Sequence, residues 1–180
     1  VWYCDLRGFT ALSECLPLPD VITLLNKCFD VMAQPVVANG GEILKFMGDS
    51  ILAIFPCDVR ADAMCTAADA AIAAAEAAVA GVAALNVERG IADGPLVHCG
   101  TAIHVGEVMY GNIGAADRLD FTVIGPAVNL VTRMEPLCAE LEQSVIVSAD
   151  LARASQRRFR SLGQHTFKGI AKAQEIFTIA

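Results

Sequence analysis

The stretch ILKFMGDSILAIF at 43–55 places two short apolar runs, Ile43 to Phe46 and Ile51 to Phe55, on either side of Met47-Gly48-Asp49-Ser50. Apolar runs of that length around a Gly-Asp turn signal predict a β-hairpin. Upstream, Val21, Leu24, Leu25, Cys28, Phe29 and Met32 recur at helical spacing after Pro19-Asp20, and Gly40-Gly41 closes that region. Downstream, an Ala-rich helix runs from Ala61 to Leu85, and Val97 to Val105 and Val108 to Ile113 read as a second strand pair. With Val1 to Cys4 as the end of a buried strand, the order is that of a ferredoxin-like split βαβ core. Phe121 to Ile124 adds a strand, Ala127 to Leu141 a helix, and strands near Val145 and Phe177 finish the chain. The expectation is an α+β sandwich with extra C-terminal strands and helices, the helices on one sheet face.

The 180 residues suit one domain, 1–180, with a sizeable core. Val1 already lies in an apolar run, so the first strand is expected to begin upstream. The Ala61 to Leu85 stretch is the one candidate for a membrane span. Asp62, Asp69 and Glu76 interrupt it at seven-residue spacing, which predicts a helix with one wet stripe and no membrane contact by this segment. A net charge of −7, from 13 basic and 20 acidic residues, argues against nucleic acid as a partner. An acidic surface still accommodates a polyanion when metal ions intervene. Seven Cys with no C-x-x-C pair indicate neither a zinc site nor a redox motif, and suit reduced thiols in a cytoplasmic compartment. His98 and His104 lack a matching Cys/His cluster and are read as packing residues.

Asp5 ends the first strand and Asp49 sits in the hairpin turn. In a split βαβ core the first strand pairs beside that hairpin, which would bring both carboxylates to one edge. Two hard carboxylates with open positions suit Mg²⁺ or Mn²⁺. The segment after Asp5 would offer backbone N–H groups at a helix start to phosphates. Spacing alone equally allows a helix-start acid and an ordinary turn Asp. Asn129 and Arg133, four apart, share a helical face, and by themselves read first as a surface pair.

DLRGFTALSE at 5–14, KFMGDS at 45–50 and FTVIGPAVNLVTRME at 121–135 together resemble the class III nucleotidyl cyclases, in order and across nearly the whole chain. HVGEVMYGNIG at 104–114 is similar to that family's hairpin arm, and FKG at 167–169 to its C-terminal phosphate-binding segment. The resemblance implies closure of ATP into cyclic AMP with release of pyrophosphate. Asp5 and Asp49, with the Leu6 carbonyl, would hold two Mg²⁺ or Mn²⁺ ions. These would activate the ribose 3′-hydroxyl and neutralise the β and γ phosphates. Lys45 and Thr122 would read adenine, the ammonium donating to N1 and the hydroxyl accepting from the N6 amine. Guanine presents the opposite pattern.

By the same resemblance Asn129 would orient the ribose and Arg133 meet charge on the α-phosphate. Lys168 would contact the terminal phosphates, and the Phe9 and Thr10 backbone would line the triphosphate. Thr122 is similar to the second base reader of cyclases many of which respond to bicarbonate. Because one chain carries the complete set, the resemblance implies a homodimer with shared sites. A guanylyl cyclase, opposed by Lys45 and Thr122, and a non-catalytic nucleotide-sensing or dimerisation module are the alternatives. Gly40-Gly41-Glu42 resembles part of the diguanylate cyclase signature, but Ile43-Leu44 follows it, so the glycines are read as a turn.

Overall fold

The structure, a computed structural model, describes residues 1–90, 95–115 and 118–180, and for 113–121 only the backbone. Its elements are β1 (Trp2–Arg7), α1 (Phe9–Cys15), α2 (Leu18–Ala38), β2 (Glu42–Met47), β3 (Ser50–Ile54), α3 (Ala61–Arg89) and β4 (His98–Ile103). These are followed by β5 (Met109–Ala115), β6 (Arg118–Ile124), α4 (Pro126–Met134), α5 (Leu137–Glu140), β7 (Val145–Ser148), α6 (Ala149–Ala154), β8 (Phe159–His165) and β9 (Gln174–Ile179). The main sheet runs β2-β3-β1-β4-β7-β9-β8, with β4 and β7 parallel and the other pairs antiparallel. Its β2-β3-β1-β4 half is the split βαβ core read from the hairpin.

Period-two alternation along β1 divides the molecule. Trp2, Cys4 and Leu6 are buried in the layer built by α2 and α3, while Tyr3, Asp5 and Arg7 face the other way. Helix α2 buries Val21, Leu24, Cys28, Met32 and Val36 at three- and four-residue spacing. Ala-rich α3 packs tightly on it: a Cβ at Gly81 would lie 3.1 Å from Val31 Cβ.

Several expectations are corrected. Helices cover both sheet faces. Leu130, Val131 and Met134 of α4, with Leu137 and Cys138 of α5, pack on Ala102, Ile146 and Ile176 opposite the α2–α3 layer. The central strands β4 and β7 are apolar on both sides, which demands a second cover. The 97–105 and 108–113 segments are not partners, because β4 is already flanked by β1 and β7, while β5 pairs with β6 as a separate ribbon. The helix read over 127–141 breaks at Glu135, since Pro136 has no N–H to continue the ladder. Strand β8 and helix α6 carried no apolar run strong enough to reveal them.

The acidic stripe of α3 is also more than a wet face. Ser155 donates to Asp69, and Arg157 pairs with Glu76 at 3.2 Å, fastening the α6–β8 connection to α3. By length and composition both α2 and α3 are apolar enough to cross a membrane, so α3 is not the single candidate. Each packs one apolar stripe into the core, Val21, Leu24, Cys28, Met32 and Val36 on α2 and Ile72, Ala75, Val82 and Leu85 on α3, while Leu18, Ile22, Val37 and Val87 are exposed. All seven thiols are free. His104 is buried with Nδ1 2.8 Å from Ser148 Oγ, and His98 is exposed, as packing and surface residues.

Candidate active site

The register Asp5↔Ser50 sets the end of β1 beside the β2–β3 turn. That turn is fixed from two sides. Leu6 N–H donates to the Asp49 carbonyl at 3.3 Å, and Tyr3 OH donates to Ser50 Oγ at 2.9 Å, which itself donates to the Met47 carbonyl at 2.7 Å. Gly48 supplies the left-handed backbone, φ 62°, that the turn needs. The two acids expected at one edge are therefore together, held by backbone that neither can leave cheaply. Burial first and then Asp49 raise the Asp5 carboxyl, with the Leu6 backbone N–H working against both, so that it lies at about 6. Among the described residues no ion pair offsets these two crowded, half-buried carboxylates, and a hard divalent ion would. The donor set fits Mg²⁺ or Mn²⁺. The Leu6 side chain is core, so only its backbone is available to such an ion.

Lys45 is aimed by an irregularity. Ile43 pairs with Ala53 but Lys45 with Leu52, so Leu44 is an extra residue in β2. In a regular strand Ile43 and Lys45, two apart, would share a face. With it, Ile43 packs into the α2–α3 layer and Phe46 lies 4.6 Å from the Phe29 ring. Lys45 instead joins the face of Leu52, which packs on Val123 of β6. Thr122, next to Val123, is buried opposite Gly111, where a Cβ would meet nothing within 4 Å. The structure thus sets Lys45 and Thr122 on adjoining strands with open space on the Gly111 side.

Asn129 and Arg133 are exposed on α4, whose apolar stripe, Ala127, Leu130, Val131 and Met134, faces the sheet. Phe167 packs into the same cluster and anchors the turn closed by Ile170 N–H to the Phe167 carbonyl, 3.0 Å. A Cβ on Gly169, itself at φ 75°, would lie 3.3 Å from Arg133 Nη1, so the guanidinium lies against that turn. Arg133 and the exposed Lys168 are therefore gathered as two cations at one corner. Among the described residues no hydrogen bond or ion pair links Asn129, Arg133 or Lys168 to Asp5 or Asp49. Phe9 is partly buried against the core and Thr10 is exposed, at the start of the seven-residue α1, whose first turn has no side-chain cap. The end of the arm at Arg118 lies outside the described side chains.

The model of the adenylate and guanylate cyclase catalytic domain matches residues 1–180. The chain belongs to this family. This cyclase domain is 32% identical, over 85% of its length, to an adenylate cyclase of Anabaena cylindrica, and 30% identical over 98% to adenylate cyclase 1 of Rhizobium meliloti. It spans 30% and 26% of those relatives' own lengths. Among solved structures it is similar to the adenylyl cyclase CyaB from P. aeruginosa, with TM-score 0.86, 28% identity and coverage of 99% of this chain and 91% of that one. The guanylyl cyclase Cya2 is similar too, with TM-score 0.84, 30% identity and coverage of 99% and 89%.

Sequence reasoning missed the groups that support the acids of this cyclase domain. Tyr3 carried a usable signal, lying two residues before Asp5 and hence on its face. Glu135 carried none, because its burial depends on which sheet face α4 covers. Only 6% exposed, it is raised to about 7, by burial first and then by Asp5, while Arg7 lowers it.

Proposed function

We propose that this domain is an adenylyl cyclase that converts ATP to 3′,5′-cyclic AMP and pyrophosphate as a homodimer. The observation that carries the reading is the junction of Asp5 and Asp49 at the hairpin turn, with Asp5 raised as a cation-seeking carboxylate is. Two bound Mg²⁺ or Mn²⁺ ions would supply Lewis-acid activation of the ribose 3′-hydroxyl and neutralise the departing pyrophosphate. Asp5, Asp49 and the Leu6 carbonyl would hold them. Lys45 donates to adenine N1 and Thr122 accepts from the N6 amine, a match that guanine reverses. Asn129 orients the ribose, and Arg133 meets charge growing on the α-phosphate as the 3′-oxygen bonds to it and pyrophosphate departs. Lys168 and the backbone of Phe9 and Thr10 hold the terminal phosphates.

Two features support a shared site. Among the described residues no hydrogen bond or ion pair links the carboxylate pair to Asn129, Arg133 or Lys168. Phe46, Met47, Met109, Tyr110 and Ile124 also stay exposed around the hairpin and the β5–β6 ribbon, an apolar margin suited to a second copy. Two grooves of the protomer, about 750 Å³ beside β5 and about 510 Å³ at the end of α3, contain neither carboxylate. We assign the domain to a cytoplasmic setting without membrane contact of its own, α2 and α3 serving the core.

The test is cyclic nucleotide formation by the purified domain with ATP and with GTP. Cyclic AMP formation in Mn²⁺, lost by at least a thousandfold in Asp5→Ala and Asp49→Ala with the fold intact, is the expected outcome. Wild-type turnover in either variant removes the metal assignment, and preference for GTP makes the domain a guanylyl cyclase.

A further inference from the structure

Behind the Asp5–Asp49 pair lies a third carboxylate. Glu135 caps α4 at the point where Pro136 breaks the helix, and its side chain is buried. Asp5 faces Gly100 across the β1–β4 ladder. The absence of a side chain at Gly100 is what admits Glu135: a Cβ there would strike Glu135 Oε1, press on Cys138 Cβ at 2.8 Å and come within 3.2 Å of Arg7 Nε. Arg7, two residues beyond Asp5 and on the same face, donates through Nη2 to the Gln143 carbonyl. Its Nε is buried without a hydrogen-bond partner although it and Glu135 Oε1 both lie beside Gly100, and among the described residues no ion pair joins the two side chains.

A structural ion pair would close that gap and satisfy both groups. Here the charges that act on Glu135 are Asp5, Arg7 and Asp49, in that order, two of them the acids of the site. Three carboxylates around one guanidinium are costly to ionise together, and Glu135, buried behind the half-buried Asp5 and Asp49, carries its charge most fully when a cation offsets it.

We propose that Glu135 is a positioning residue that strengthens divalent-cation binding at Asp5 and Asp49 through its buried charge, opposed by Arg7 and seated by Gly100. This rests on the reading of Asp5 and Asp49 as metal carboxylates. Glu135 itself touches neither nucleotide nor ion.

The test is Mn²⁺ binding to the full chain, by calorimetry and by electron paramagnetic resonance of free Mn²⁺, with the thermal midpoint measured beside it. Glu135→Gln keeps the shape and removes the charge. It should weaken Mn²⁺ binding roughly three- to tenfold without lowering the metal-free midpoint, and Glu135→Asp should recover part of the loss. Arg7→Gln should shift affinity the other way. Unchanged Mn²⁺ affinity in Glu135→Gln, or weakening in both variants together, overturns the proposal. If Glu135→Gln does not fold, tightening or weakening in Arg7→Gln decides it. Asp5→Ala and Asp49→Ala separate the two readings. Wild-type Mn²⁺ affinity in them sinks the metal site itself, whereas lost affinity there with none lost in Glu135→Gln sinks this inference alone.

Discussion

At the hairpin corner the chain holds its own chemistry. Asp49 is fixed through its backbone by Leu6, the turn by Tyr3 and Ser50, and Asp5 by its register with β3. On α4 the arrangement is the reverse: Asn129 and Arg133 project from a helix whose other face is the core, with the Gly169 turn beside the guanidinium. One region is fixed by bonds inside the protomer, and on the proposed reading the other offers its donors to a site completed by a second copy. A catalytic surface divided this way can be assembled and taken apart by association, with no change inside either fold.

The largest effect tests that division directly. Asp49→Ala and Asn129→Ala should each be nearly inactive. Mixed in equal amounts, about half the dimers are heterodimers, each with one doubly damaged and one intact site, so cyclic AMP production should return to roughly a quarter of wild type. No recovery despite demonstrated subunit exchange would place both residues in one protomer's site. Next in size is Arg133→Ala, which should lower kcat on the order of a hundredfold, about 3 kcal/mol. Because Arg133 is exposed, the thermal midpoint should scarcely move. A large fall in the midpoint would make it a structural partner of the 167–170 turn.

Lys45→Glu should cut ATP turnover and shift the ATP-to-GTP preference roughly tenfold toward GTP, since a carboxylate accepts from guanine N1. An unchanged preference moves base reading elsewhere. The smallest effect is on metal-free stability. Asp5 and Glu135 hold protons more tightly folded than unfolded, so the folded state binds more protons between about pH 4 and pH 7. Stability should therefore fall as pH rises through that window, by about 3 kcal/mol from Glu135, or several degrees in thermal midpoint. Glu135→Gln should flatten the profile, measured by thermal unfolding in chelator. A midpoint that rises from pH 5 to pH 7.5 contradicts the assigned environments.

The local settings of the candidate residues were legible, while the roles assigned to them came from the family resemblance. Asp49 lies in a Gly turn, Asp5 at a strand end, and Asn129 and Arg133 on one face of a helix start. The split βαβ half of the sheet was legible locally too, through apolar periodicity. What stayed hidden depends on which elements meet across the chain. Nothing local says that β5 leaves β4 for β6, or that α4 covers the face carrying Asp5, and so nothing local marks Glu135 as buried. Pro136 did announce the helix break, but apolar spacing on both sides of it masked that signal.

The extra residue at Leu44 makes phase along β2 as informative as residue type. Pairing Leu44 as an ordinary strand residue would keep every residue of KFMGDS while shifting its phase by one step. The ammonium would be turned toward Ile51 and the Phe29 ring, and the aromatic of Phe46 toward the face of Leu52. On the proposed reading of Lys45, the phase of this strand is therefore part of the substrate code, carried by how Leu44 is accommodated as much as by which side chains follow it.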